Sequence, residues 1–101
     1  MAFFVIGGEE LVVGFRFVGV PGVVVRSSDE ALAAFRSATA DKAIKVLIIT
    51  EQAAALITHE VMEWQLGGAY PLIVEIPDVE GHLQGRTSLI DSIREAVGLH
   101  V

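Results

Sequence analysis

No cysteine occurs among the 101 residues of this chain, which excludes disulfides, thiolate metal sites and cysteine nucleophiles. Its 7 lysines and arginines are scattered singly, so no basic patch is present to neutralise a nucleic-acid backbone or an anionic membrane. The charge-free stretches are too short to span a bilayer, and no basic region precedes the first apolar run. We therefore expect a soluble, unexported chain that binds no nucleic acid and inserts nothing into a membrane.

Apolar residues are abundant and make up 52% of the chain. Because a small domain leaves much of its surface in water, we expect part of this apolar surface to meet a partner. Charge is unevenly placed: residues 1–50 carry five acids and five bases, whereas residues 51–101 carry eight acids and two bases. The two halves of the chain should therefore face different surroundings.

Short apolar runs alternate with helical segments along the chain. The runs are continuous, as in strands covered on both faces, and occupy residues 2–6, 23–25, 45–50 and 72–76. Helices are predicted at residues 9–18, from Ser27 onward, at 53–66 and at 88–97. This order predicts parallel strands with right-handed crossovers. The expected fold class is α/β: a three-layer sandwich with a four-stranded parallel sheet, flavodoxin-like or Rossmann-like, plus a C-terminal helix.

The length predicts one domain over residues 1–101. Within it we expect an α/β core at 1–77, a mobile polar loop at 78–87 and a partner-binding C-terminal helix at 88–101.

Some residues have predicted structural roles. Ser27 and Glu30 stand at capping-box spacing, and Thr50 is placed to cap the next helix. Trp64 is expected to pack in the core or at its rim. Gly14 lies inside a helix, where glycine costs about 1 kcal/mol relative to alanine, so we expect close packing there.

A glycine turn between the first strand and the first helix raises the question of a nucleotide site. The dinucleotide fingerprint needs three glycines at set spacing, whereas here Gly7 and Gly8 are followed only by Gly14. Glu9 and Glu10 stand where a phosphate would bind, and their charge repels a second anion. We therefore expect no nucleotide at this turn.

The same edge of the sheet could bring Glu9, Glu10 and Glu51 together as a magnesium cluster, as in a phosphoacceptor receiver domain. The chain lacks an aspartate after the third strand, a hydroxyl after the fourth and a fifth strand that would deliver a lysine. Capping of the helix dipole by Glu9 and Glu10, together with a cap at Thr50, explains these positions better. A degenerate receiver-like signalling or allosteric module stays open as the alternative function.

No catalytic set is present in the sequence. His59, His82 and His100 lack the spacing of a metal site, and the serines at helix starts are explained as caps. We expect a protein that is not an enzyme and that holds no metal or cofactor.

Two helices carry more apolar residues than one packed face requires. The first is apolar around most of its circumference between Leu11 and Val18. The last has a stripe that includes Leu89, Ile93 and Val97, and Leu99 continues it past Gly98. An apolar chain end favours docking on a partner, although Leu99 could also close a cap on its own helix.

The sequence resembles the F subunit of the A-type and V-type rotary ATPases. Gly14-Phe15-Arg16-Phe17-Val18-Gly19 resembles that family's first helix, and VLIITE at 46–51 its third strand. The clearest similarity is PLIVEIP at 71–77, followed after a glycine-bearing loop by IREAVG at 93–98. It extends over essentially the whole chain and is closest to bacterial members.

The resemblance implies a non-catalytic rotor component of the central stalk, without a cofactor. Such a component binds the coiled-coil D subunit of the shaft, contacts the catalytic A/B head and couples ATP hydrolysis or synthesis to H⁺ or Na⁺ transport. It also implies a cytoplasmic location, peripheral to the membrane. The positions that match the family's partner-binding segment are Leu89, Ile90, Ile93, Arg94, Val97 and Leu99.

Overall fold

The computed structural model describes residues 2–79. Their elements in chain order are β1 (Phe3–Gly7), α1 (Glu9–Phe17), β2 (Gly22–Val24), α2 (Ser28–Ala40), β3 (Val46–Thr50), α3 (Glu51–Leu56), α4 (Thr58–Gly67) and β4 (Leu72–Ile76). The strands and the first two helices begin and end close to the predicted positions.

All strand pairs in the sheet are parallel, and the strand order is β2-β1-β3-β4. After β2 the chain crosses back over β1 and continues on its other side, so strand order reverses between β1 and β3. The predicted α/β class with a four-stranded parallel sheet is confirmed.

Helices cover the two faces of this sheet unequally. On one face α2, α3 and α4 pack over a large buried cluster that includes Ile6 and Leu47. On the other face α1 packs over a much smaller cluster of Val5, Val12 and Val20. Helical layers thus flank the sheet on both sides, and within residues 2–79 the second layer consists of α1. None of the helices in this range is both long enough and apolar enough to cross a membrane.

The prediction of one helix at 53–66 is wrong in one respect, because the structure divides this stretch into α3 and α4 at Ile57. Ile57 leaves the helical conformation, with φ −137° and ψ 43°, while it stays buried in the larger cluster. The Thr58 hydroxyl donates to the Ala55 carbonyl at 3.2 Å. Such a side-chain bond competes with the backbone ladder and bends helices, which apolar periodicity does not reveal.

Both predicted helix caps are confirmed. Ser27 Oγ accepts the backbone N–H of Glu30 at 3.2 Å, and Thr50 Oγ1 accepts that of Ala53 at 3.1 Å. Glu30 Oε1 in turn accepts the N–H of Arg26 at 2.7 Å, one residue before the position that a capping box would use. These bonds satisfy donors at helix starts that would otherwise lack partners.

Trp64 packs at the rim of the core, as predicted. Its ring meets that of Phe35 edge-on, with centroids 6.3 Å apart, and its Nε1 donates to the carbonyl of Pro71 at 2.9 Å. These contacts tie α4 to α2 and to the segment that leads into β4.

The close packing expected at Gly14 is not found among residues 2–79. A Cβ built on this residue would meet no atom within 4 Å among the described residues. Gly14 lies on the side of α1 that faces away from the sheet, so no described residue offsets the cost of glycine in this helix by a close contact.

Candidate functional site

The turn from β1 into α1 lies at the carboxyl edge of the sheet, where ligands of such folds usually bind. Gly8 begins the helix without a side-chain cap, and Glu9 and Glu10 occupy its first turn. Asp78 adds a third carboxylate, since a Cβ on Gly8 would lie 2.8 Å from Asp78 Oδ2. Three carboxylates at this helix start stabilise its dipole and repel a phosphate. Asp78 was not predicted from the sequence, because only the fold brings it to this turn.

The acids considered for magnesium have separate surroundings. Glu9 Oε1 lies 2.9 Å from Arg26 Nη2, and both side chains are 67% exposed. Glu51 is 1% exposed at the start of α3. In the part of the chain that the structure describes, no group of three or more histidine and acidic side chains could hold a metal ion.

His59 faces solvent on α4, as expected, with its Nε2 2.9 Å from Glu63 Oε1. The other histidines, His82 and His100, lie outside the described residues. His59 therefore has the environment of a surface residue.

Among the large apolar side chains that the structure describes, the most exposed lie at the amino edge of the sheet. Phe17 is 86% exposed at the end of α1, and Leu66 is 82% exposed near the end of α4. Val18 and Tyr70 follow these helices and are also exposed. Because the helices return antiparallel to the strands, all four residues lie near the edge where the strands begin. We call this group the amino-edge residues.

A second apolar surface lies on the sheet itself, on the face that α1 covers only in part. Its residues alternate along β3 and β4 and include the start of β1, and we call them the open half-face: Phe3, Val46, Ile48, Leu72, Val74 and Ile76. Leu72 is 53% exposed and Val74 is 43% exposed. This surface was not predicted from the sequence, because the continuous apolar runs indicated strands covered on both faces.

The partner-binding residues predicted from the sequence lie outside residues 2–79, and the structure places none of them. They are Leu89, Ile90, Ile93, Arg94, Val97 and Leu99. The predicted C-terminal helix at 88–101 also lies there, as does the loop at 78–87 apart from Asp78 and Val79.

These features define a class of protein: a small parallel α/β domain with large apolar residues in solvent at one sheet edge and on one sheet face. Residues 3–97 match the model of the family described as the ATP synthase (F/14-kDa) subunit. Because the match extends over nearly the whole chain, this protein belongs to that family.

Curated relatives agree with this assignment. The F subunit of the A-type ATP synthase from Methanothermobacter thermautotrophicus is 33% identical over 99 residues, which cover 96% of this chain and 92% of the relative. Its counterpart from Methanocaldococcus jannaschii, also named as the F subunit of an A-type ATP synthase, is 33% identical over 96 residues, covering 94% and 93%. That of Pyrococcus furiosus is 28% identical and covers 100% and 98%. The closer resemblance to bacterial members stays a prediction.

Proposed function

We propose that this chain is the non-catalytic central-stalk component of an A-type or V-type rotary ATPase. In this role it binds the coiled-coil D subunit of the shaft and helps to couple ATP hydrolysis or synthesis to H⁺ or Na⁺ transport. It belongs to the rotor, contacts the catalytic A/B head and works on the cytoplasmic side of the membrane, peripheral to the bilayer.

Exposed apolar surface is the observation that carries this proposal. Phe17 and Leu66 are 86% and 82% exposed, although burying a side chain of this size yields about 1.5–3 kcal/mol. A coiled coil presents a long helical surface that can cover such residues. The relatives named as ATP synthase subunits support an assembly role for this surface.

We assign the shaft contact to the C-terminal segment, through Leu89, Ile90, Ile93, Arg94, Val97 and Leu99. A stable contact between two proteins buries about 1,600 Å² in total, and its binding energy is concentrated in a few central residues. The function is mechanical: the α/β body holds this segment against the shaft, so that torque passes without slip.

Co-expression with the coiled-coil shaft protein of the same genome tests the proposal, with size-exclusion chromatography and light scattering as the measurement. We expect a 1:1 complex that survives dilution. Ile90→Asp should weaken the complex at least tenfold because it places an unpaired charge in the contact. Ser92→Asp introduces the same charge on the opposite side of the predicted helix and should leave binding unchanged.

Separate elution of the two unmodified chains would contradict the proposed contact with the shaft. Equal weakening by both aspartates would show that charge in this segment matters, and not the side chain of Ile90. If the unmodified chains elute separately, the degenerate receiver-like module becomes the leading alternative, and it would respond to Mg²⁺ through its tryptophan fluorescence.

A further inference from the structure

The amino-edge residues form one apolar surface, although they come from both helical layers. Phe17 and Val18 lie at the end of α1 on one face of the sheet, whereas Leu66 and Tyr70 lie at and after the end of α4 on the other. The four strands between these layers begin within about 14 Å of one another, because neighbouring strands lie about 4.8 Å apart. A single partner that buries about 800 Å² of this chain can therefore cover all four residues.

Charge is separated along the strand direction in the described residues. Arg16, in the last turn of α1, and Lys42 and Lys45, between α2 and β3, lie at the amino edge with one acid, Asp41, beside them. The carboxyl edge is acidic, and its acids include Glu9, Glu10, Asp29, Glu30 and Asp78. The edge with the exposed apolar residues is thus also the basic edge of a chain whose net charge is −6.

The bases at the amino edge are available to a partner. Within residues 2–79 none of the three is paired with a carboxylate, whereas Arg26 at the carboxyl edge is paired with Glu9. Arg16 donates through Nη2 to the carbonyl of Gly22 at 3.0 Å, which holds its guanidinium at the start of β2. Lys42 and Lys45 are exposed. Carboxylates of a partner would therefore find cations here that have no competing acid to leave.

A recess opens at the same edge, between α2 and the sheet. Its volume is about 290 Å³, and Asp41 and Ile44 bring it to the connection that carries both lysines. Its walls are mainly apolar and include Phe4, Val23 and Ala38. The binding energy of a protein contact is concentrated where a large side chain enters such a recess and polar residues surround it. The amino edge therefore combines an apolar recess, exposed apolar side chains and unpaired bases.

We propose that the amino edge of the sheet docks on an acidic helical surface of the shaft protein, where apolar residues are flanked by aspartate or glutamate. This step rests on the proposed function and adds a second contact to that of the C-terminal segment. Phe17, Leu66 and Tyr70 cover the apolar residues of the shaft, and Lys42 and Lys45 meet its carboxylates. Opposite charges at the rim of a contact speed association and fix its register.

An anionic membrane fits this edge less well than a helical protein surface. Sequences that bind such membranes carry clusters of about four to eight lysines and arginines. Here three bases stand beside Asp41, and the net charge of −6 repels an anionic bilayer. The charge of the edge therefore favours a local acidic patch on another protein.

Single cysteines can report which surface the shaft covers, because the chain has none of its own. Val18→Cys and Leu66→Cys, one from each helical layer, are made in the full chain. Their alkylation by a maleimide is followed by mass, with and without saturating shaft protein. Asp29→Cys, exposed in the first turn of α2, is the control at the opposite edge. We expect the shaft to slow alkylation at least tenfold at both amino-edge positions and less than twofold at the control.

Charge reversal tests the acidic character of the contact. Lys45→Glu should weaken the complex at least fivefold and reduce the dependence of its Kd on salt, because like charges then meet. Arg26→Glu makes the same reversal at the carboxyl edge and should change the Kd less than twofold. The thermal midpoint of each variant confirms that it is folded.

Protection at neither amino-edge cysteine in a complex that forms, or equal protection at Asp29→Cys, would overturn this contact and leave the proposed function standing. Slow alkylation in the isolated chain would also overturn it, because the chain itself would then cover the edge. Equal weakening by both reversals, or tighter binding by Lys45→Glu, would overturn the acidic partner. Sedimentation of the unmodified chain with anionic vesicles, lost in Lys45→Glu, would assign the edge to a membrane instead. Failure of the unmodified chains to associate would overturn both this contact and the proposed function.

Discussion

Within residues 2–79, the two faces of the sheet differ in how completely they are covered, although their strands are about equally apolar. On the face of α2, α3 and α4, Ile49 and Leu47 are fully buried. On the face of α1, Val5 is fully buried, but Leu72 and Val74 are about half exposed. The difference shows that strand composition determines which surfaces need a cover, whereas the path of the connecting chain determines which surfaces receive one.

The largest expected effect comes from two adjacent isoleucines on opposite faces. Ile49→Ala should lose about 2–5 kcal/mol of unfolding free energy, because the side chain is fully buried. Ile48, on the face of α1, is half-buried by the described residues, so Ile48→Ala should lose less than half as much. Urea unfolding of the full-length variants measures both. A loss at Ile48 equal to that at Ile49 would mean that more than the described residues covers the face of α1.

The next effect compares two glycines. A Cβ on Gly22 would lie 2.6 Å from the carbonyl oxygen of Val5 on the neighbouring strand, and this backbone cannot move aside. Gly22→Ala should therefore cost about 1–3 kcal/mol. Gly14→Ala meets no described atom and should stabilise the isolated chain by about 0.5–1 kcal/mol. Thermal unfolding measures both, and a loss at Gly14 would reveal a neighbour on the outer side of α1.

The smallest effect concerns how helices on the two faces begin. α2 starts with the side-chain cap of Ser27, whereas α1 starts at Gly8 without one. Ser27→Ala should cost about 1 kcal/mol, or roughly 4–8 °C in the unfolding midpoint of a domain of this size. Ser28→Ala, within the first turn of the same helix, is the control and should change the midpoint by less than half as much. Equal changes would argue that the cap bond contributes nothing.

Much of the architecture could be predicted from local patterns. Continuous apolar runs identified the four strands, and Ser27 and Thr50 identified two helix starts, since each signal depends on residues a few positions apart. The break at Ile57 could not be predicted in this way, because it depends on core packing and on the hydroxyl of Thr58. The close packing expected at Gly14 stays a prediction for a similar reason: only the neighbouring elements define which side of a helix is open, and residues 2–79 leave that side uncovered.

The candidate site depended on both levels. Sequence patterns and resemblance pointed to the C-terminal segment as the place of contact with the shaft. That segment lies beyond residue 79, outside the described residues, so this assignment stays a prediction. The amino-edge residues and the open half-face appeared only in the structure, because exposure depends on where each helix lies. Val74 and Leu47 look alike in sequence, yet one is 43% exposed and the other is buried.

The sequence by itself determined the succession of strands and helices along the chain, the absence of thiol chemistry and the family to which the protein belongs. These follow from residue types and their spacing. Only the tertiary structure decided that α1 covers half of one sheet face, that Asp78 joins the acids at Gly8, and that the chain leaves β4 beside α1. The physical reason is that burial and proximity are properties of elements packed in space, and residues far apart in sequence carry no local signal of their meeting.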